Sequence, residues 1–171
     1  MIYHYSIWQP LYDEMRAAKG DGIDFVEGLP TEAPAFDTSL RHCVVFDDLM
    51  HAVDKCPWAS KLYTAGCHHQ NASVISLQQK LFTNREQRLQ CQYLAIFDIP
   101  QDRGAVLPLA RQLCLGNADR FLEIYKDATG PNYSWLLVDM KKGATRGSDS
   151  GAPGATVTST RPTSRYGPTA E

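Results

Sequence analysis

The chain has 171 residues, 43% of them hydrophobic, which suits one globular domain of ordinary size. Its net charge of -2 gives no general attraction for DNA or anionic membranes, so any contact with nucleic acid would be local. No apolar run approaches the roughly 18 residues of a membrane span, and we expect no membrane partner.

The cysteines lie far apart in the sequence, at positions 43, 56, 67, 91 and 114. An odd number without close pairs, after an amino terminus unlike a signal peptide, is typical of reduced proteins and unlike a disulfide framework. We therefore expect an intracellular protein that is not secreted, with thiols that mostly fill its core.

The chain opens with aromatic and β-branched residues at 2 to 8 (IYHYSIW), which predict a strand. Residues 10 to 20 predict a helix, because Pro10 suits a first turn and Gly20 suits an end. Residues 23 to 28 (IDFVEG) predict a short strand at an edge of the sheet.

The stretch CVVFDD, residues 43 to 48, joins an apolar run to two acids. A short continuous apolar run predicts a strand buried on both faces, as in a parallel sheet covered by helices. Ligands of such sheets lie at the carboxyl ends of the strands, where Asp47 and Asp48 would hold a hydrated magnesium ion on a nucleotide. The alternative is that the acids begin a helix, where Asp is a good N-cap.

The rest of the first 142 residues repeats this alternation, which predicts an α/β domain with a largely parallel sheet. The predicted strands are 72–79, 92–100 and 130–140, and the predicted helices are 57–66, 83–90, 103–114 and 117–128, the last capped by Asn117. From Gly143 onward, Gly, Ser, Thr, Pro and Ala dominate, so residues 143–171 are predicted to be a disordered tail.

A nucleotide site of this kind also needs a Gly-rich loop ending in Gly-Lys-Ser/Thr, whose amides and lysine hold the phosphates. The chain contains no Gly-Lys dipeptide, and AKGDG at 18 to 22 is better explained as a helix stop. At the end of the next strand, Gln78 and Gln79 could orient water, or they could be an exposed strand end. Cys67, His68 and His69 suggest a metal site, although neighbouring side chains diverge and no further ligand cluster is present.

Several linked stretches between about residues 2 and 142 resemble, in sequence and order, the DNA-packaging ATPases of polinton and adintovirus-type elements. These ATPases belong to the FtsK/HerA group of ring-forming DNA translocases. The stretches are YSIWQPLYDEM, FVEGLP, RHCVVFDDLM, LYTAGCHHQNASVISLQQKLF, QYLAIFDIPQDR, LARQL and FLEIYKDATGPNYSWLLVDMK.

The resemblance implies a RecA-like P-loop NTPase sheet flanked by helices, a homo-oligomeric ring on double-stranded DNA, ATP and Mg²⁺ as cofactors, and a nuclear or virus-associated location. Asp47 and Asp48 match the Walker B acids. Asp47 would hold the metal ion through water, and Asp48 would act as general base or water-orienting carboxylate. Gln79 matches the polar sensor at the end of the next strand.

The chain departs from the family at its cationic positions. Gln70 stands where relatives commonly have an arginine, and Asp98 and Gln101 replace basic residues. Arg103 and Arg111 remain as possible contacts to a phosphate or to a neighbouring subunit. Fewer cations mean less stabilisation of the charge on a transferring phosphoryl group.

The family's first strand, which carries the phosphate loop, is missing from this chain. In the family it lies between the strands at about 92–97 and 73–78, so its absence predicts poor folding, direct pairing of those two strands, or aggregation. The expected protein is a partial ATPase domain at 1–142 that does not hydrolyse ATP alone. The alternatives are a non-catalytic interaction protein derived from such an ATPase and, third, a hydrolase or metal protein using residues 67 to 69.

Overall fold

The structure is a computed structural model, and it describes residues 1–66, 70–81, 85–113, 117–141 and 156–160. The chain divides into two compact units, Met1–Gln90 and Cys91–Glu171, so the region predicted as one domain is split after residue 90. Within the described ranges, no helix is both long and apolar enough to cross a membrane.

The first unit is built on a four-stranded, fully parallel sheet. Its strands lie in the order β2-β1-β3-β4, which places β3 between β1 and β4. The strands are β1 (Ile2–Tyr5), β2 (Asp24–Glu27), β3 (His42–Asp47) and β4 (Ala72–Leu77), and the helices are α1 (Pro10–Lys19), α2 (Met50–Lys55), α3 (Pro57–Lys61) and α4 (Arg85–Gln90). As predicted, 24–27 is an edge strand.

Helices cover both faces of this sheet, and alternate residues of β3 point to opposite faces. Val45 packs on the α1 face, where the buried cluster is Tyr3, Tyr12, Ile23 and Val45. Val44 and Phe46 pack on the other face, where the buried cluster is Val44, Phe46, Leu49, Val53, Ala59, Leu62 and Ala72. Burial on both sides explains the unbroken apolar run of β3.

Two local features differ from the sequence prediction. The first strand ends at Tyr5, and the predicted helix at 57–66 is the short α3 followed by a π-helical turn at Leu62–Gly66. Helix α2, which begins at Met50, was predicted only in the alternative that the acid pair begins a helix. Its N-cap is Leu49, which makes no side-chain capping bond, so the alternative that the acid pair caps a helix is wrong.

The second unit contains a three-stranded antiparallel sheet in the order β5-β6-β7. Its elements are β5 (Tyr93–Phe97), a 3-10 helix (Pro100–Ala105), α5 (Val106–Leu113), α6 (Ala118–Thr129), β6 (Trp135–Asp139) and β7 (Thr156–Thr160). Asn117 is the N-cap of α6, as predicted, but its side chain makes no capping bond.

The α/β class and a parallel sheet flanked by helices are confirmed, and the first unit is compatible with a RecA-like fold. Two neighbouring parallel strands are usually connected by a single crossover helix. The pair α5 and α6 instead brings β6 back in the opposite direction to β5. β4 and β5 belong to different sheets, so the predicted direct pairing of these strands is not made.

Within the tail predicted to be disordered, residues 156 to 160 form β7 on the outer side of β6. Their sequence, TVTST, is rich in β-branched residues, which favour strands. The other residues of the predicted tail lie outside the described ranges.

Candidate functional site

Asp47 is the last residue of β3, at the carboxyl end of the parallel sheet. Its Oδ2 atom accepts hydrogen bonds from two phenols, the Tyr3 hydroxyl at 2.7 Å and the Tyr12 hydroxyl at 2.6 Å. Tyr3 lies on the neighbouring strand β1, and Tyr12 lies on α1 above that face of the sheet. The Asp47 carboxylate is therefore held from the strand and from the covering helix at once.

Both phenols are fixed as neutral donors. Burial, followed by the hydrogen bond to Asp47, raises the pKa of Tyr12 to about 12 and raises the pKa of Tyr3 further. A carboxylate only accepts hydrogen bonds, so each hydroxyl donates to Oδ2. Among the described residues nothing donates to Oδ1 of Asp47, which leaves that oxygen for a water molecule or a cation.

An aromatic cluster on the α1 face holds the two tyrosines in place. The Tyr3 and Tyr12 ring centroids are 5.2 Å apart, and Phe25 on β2 contacts both rings at 5.4 and 5.6 Å. The Arg16 guanidinium lies over the Trp8 ring, 4.7 Å from its centroid. Aromatic contacts of this kind stabilise one ring arrangement beyond simple burial, so the phenols reach Asp47 from a rigid support.

Asp48 has different surroundings, although it is the next residue. Its side chain is exposed, and its φ of 54° lies in the left-handed region that non-glycine residues rarely adopt. The Asp48 amide donates to the Leu77 carbonyl at 3.2 Å, and its Oδ2 accepts a hydrogen bond from Gln79 Nε2, also at 3.2 Å. This backbone turn points Asp48 toward the end of β4, away from the tyrosines that hold Asp47.

Of the three residues predicted for the site, the structure brings Asp48 and Gln79 into contact, whereas the Asp47 side chain is held separately by Tyr3 and Tyr12. A carboxylate with a free oxygen can hold a hydrated cation, and an adjacent carboxylate-amide pair can orient a water molecule. In the described ranges, no three His, Cys, Asp or Glu side chains are grouped to bind a metal ion directly. The donor set therefore fits a magnesium ion held through water and does not fit a closed metal site.

The AKGDG segment does not form a phosphate loop in the structure. Gly20, with a φ of 53°, ends α1, and the three residues after Lys19 form a short 3-10 turn. This confirms that AKGDG is a helix stop. The sequence also contains no Gly-Lys dipeptide, which such a loop requires.

The other candidate residues are not brought to this site by any described contact. Arg111 is exposed on α5 in the second unit. Arg103 lies in the 3-10 helix of that unit, but its side chain is outside the described part of the structure. Residues 67 to 69 are also outside it. Gln70 lines a cavity of about 200 Å³ in the first unit, beside Phe36 and Trp58.

The sequence analysis missed the roles of Tyr3, Tyr12 and His4. Their only signal was the high density of aromatic residues from 3 to 12. His4 is 1% exposed on the face opposite Tyr3, and its Nδ1 donates to the Gly28 carbonyl at 2.9 Å. Its Nε2 is buried without a partner among the described residues, and burial lowers the pKa of the ring, so His4 is a neutral core residue.

The fold and site thus define an α/β unit with two acids and an amide at the carboxyl ends of adjacent parallel strands. In comparisons with known proteins, the chain matched no family model, no curated protein and no solved structure.

Proposed function

We propose that this chain is the Walker B half of a DNA-packaging ATPase module of the FtsK/HerA group. The observation that carries the proposal is the 3.2 Å contact between Asp48, which directly follows β3, and Gln79, just beyond the end of β4. Parallel strands place their ligand-binding groups at this end of the sheet. The contact joins the two residues to which the resemblance assigns the water-orienting carboxylate and the polar sensor.

The three residues have separate tasks in this proposal. Asp47 would hold hydrated Mg²⁺, and Oδ1 is the oxygen left for this role because Tyr3 and Tyr12 donate to Oδ2. Asp48 accepts a proton or hydrogen bond from a water molecule, which the Gln79 amide helps to orient. In the ATPase group that the chain resembles, magnesium would supply positive charge next to the phosphates.

Strand order also supports the proposal. In the RecA-like fold implied by the resemblance, the phosphate-loop strand pairs with the sensor strand on the side away from the Walker B strand. β4 pairs with β3 on one side, and none of the described strands pairs with its other side. The sheet therefore ends where that fold would continue.

We expect no ATP hydrolysis by this chain alone, because its sequence has no Gly-Lys-Ser/Thr loop to hold the phosphates. Purified protein with ATP, Mg²⁺ and double-stranded DNA should release phosphate at the same background rate as Asp48→Asn. Phosphate release clearly above that of the variant would overturn the prediction of an inactive half-site.

Cation binding gives a readout that does not need activity. Mn²⁺, a spectroscopic substitute for Mg²⁺, should broaden the NMR signals of residues around Asp47 in the wild-type protein. Asp47→Asn should lose the selective broadening, whereas Asp24→Asn, at the exposed start of β2, should keep it. Equal broadening in all three proteins would contradict a cation site at Asp47.

A second candidate function is a non-catalytic interaction protein that joins or inhibits a ring of intact ATPase subunits. The observation that favours it is the side of β4 with which no described strand pairs, because that side offers backbone groups to another chain. Co-purification with a full-length ATPase of the same kind of element would support this function. If the chain does not bind such a subunit but still binds Mn²⁺, the interaction function is refuted and only the first proposal remains.

A further inference from the structure

The two edges of the parallel sheet differ in how well they are protected from pairing. β2 is four residues long and carries exposed acids at both ends, Asp24 and Glu27. β4 is six residues long, ASVISL, with no charge and no proline. Charges, prolines and short length are the usual devices that block edge strands from pairing with other chains. β2 has two of these devices, and β4 has none.

The exposed face of β4 is also apolar. Alternate residues Ser73, Ile75 and Leu77 lie on the α1 face of the sheet, in register with Cys43, Val45 and Asp47 of β3. Val45 is buried beneath α1, but Ile75 is 47% exposed and Leu77 is 43% exposed. The helical cover therefore ends at β3, and β4 presents apolar side chains next to an edge that no described strand pairs with.

We propose that this edge pairs with β4 of a second copy of the chain, in antiparallel orientation, to form a two-fold symmetric dimer. A two-fold axis perpendicular to the sheet leaves the α1 faces of both copies on the same side of the joined sheet. Such an axis passes midway between one residue of β4 and the same residue of the second copy. If the axis lies at Ile75, the Ile75 residues of the two copies are opposite each other, and Leu77 of each copy is opposite Ser73 of the other. The apolar residues of both copies then form one strip across the joined sheets.

A second copy is a suitable partner for the backbone groups of this edge for two physical reasons. Its β4 offers the same row of backbone donors and acceptors, and antiparallel pairing satisfies both strands without a crossover connection. The strand is also uncharged, so self-pairing brings no like charges together. By contrast, β2 strands paired in this way would bring four carboxylates, Asp24 and Glu27 of each copy, to one short edge, which is unfavourable.

The test is the oligomeric state of the full chain by sedimentation velocity over a range of concentrations. The wild-type protein should show a reversible monomer-dimer equilibrium. Ile75→Lys places two lysines opposite each other at the axis and should raise the dissociation constant roughly tenfold or more. Leu40→Lys, at a 58% exposed leucine outside the strands, is the matched control and should dimerise like the wild-type protein.

A monomeric wild-type protein at all concentrations would overturn the proposal, and so would equal loss of dimer in both lysine variants. Circular dichroism checks that each variant is folded. If Ile75→Lys fails to fold, Ile75→Cys provides the second test, because directly opposed residues of antiparallel strands are close enough for a disulfide. Under mild oxidation Ile75→Cys should cross-link to a dimer well above the level of the native cysteines, and Leu40→Cys should not.

The proposal does not depend on the function assigned to the acids. Loss of the dimer with Mn²⁺ binding intact would refute only the edge pairing. Loss of Mn²⁺ binding with the dimer intact would refute only the cation site.

Discussion

The two sides of the carboxyl end of β3 show how differently a fold can treat neighbouring residues of the same type. On the α1 side, Asp47 is half-buried and accepts two short hydrogen bonds from buried phenols. On the β4 side, Asp48 is exposed and accepts one longer bond from Gln79. Hydrogen bonds to a charged group are worth most where water is excluded. The first acid is therefore expected to contribute more to stability than the second.

The largest expected effect comes from truncating each acid to alanine. Asp47→Ala removes the acceptor of two buried hydroxyls and should lower the free energy of unfolding by about 2 to 5 kcal/mol. Asp48→Ala removes one exposed contact and should lower it by less than about 1 kcal/mol, mainly through the left-handed backbone. Urea unfolding of both variants measures the difference. Equal losses would show that the comparison between the two sides is wrong.

A smaller effect should follow from removing one phenol. Tyr12→Phe keeps the ring and deletes the donor, so the free energy of unfolding should fall by about 1 to 3 kcal/mol at neutral pH. The pH dependence sharpens this test. The raised pKa of Tyr12 means that the folded state retains a proton that the unfolded state loses above about pH 10.

The stability contributed by Tyr12 is thus fully present below pH 10 and is lost as the pH rises through about 12. Chemical denaturation between pH 9 and 11 should show a steeper loss for the wild-type protein than for Tyr12→Phe. Parallel curves would mean that the Tyr12 hydroxyl is not held by Asp47. Tyr133→Phe is the control, because that tyrosine is 87% exposed and should leave the slope unchanged.

The smallest effect is expected at Gln79. Its side chain is exposed and bonds only to Asp48 among the described residues, so Gln79→Ala should change the free energy of unfolding by less than about 0.5 kcal/mol. Urea unfolding beside Asp47→Ala gives the measurement. A loss of unfolding free energy comparable with that of Asp47→Ala would show that the Asp48-Gln79 contact stabilises the fold. The contact would then give no reason to propose that these residues orient a water molecule.

The sequence predicted those features of the fold that depend on neighbours along the chain. The apolar run of β3, Pro10 at the start of α1 and Gly20 at its end are local signals, and each was correct. The meeting of Asp48 with Gln79 could be expected because consecutive parallel strands end at the same edge of a sheet. α2 was missed because the short stretch 50–55 shows neither a clear apolar period nor a capping residue.

The sequence by itself determined an α/β protein in which two acids and an amide follow two buried strands. Only the tertiary structure decided which acid is held by buried phenols and which is exposed. Tyr3 and Tyr12 lie 44 and 35 positions from Asp47 in the sequence, and they meet it because α1 packs on the face of the sheet. The tertiary structure also decided that β5 and β6 are antiparallel and that β4 ends its sheet. Which strands pair, and in which direction, depends on where the connecting helices place the next strand. The order of residues alone does not specify this.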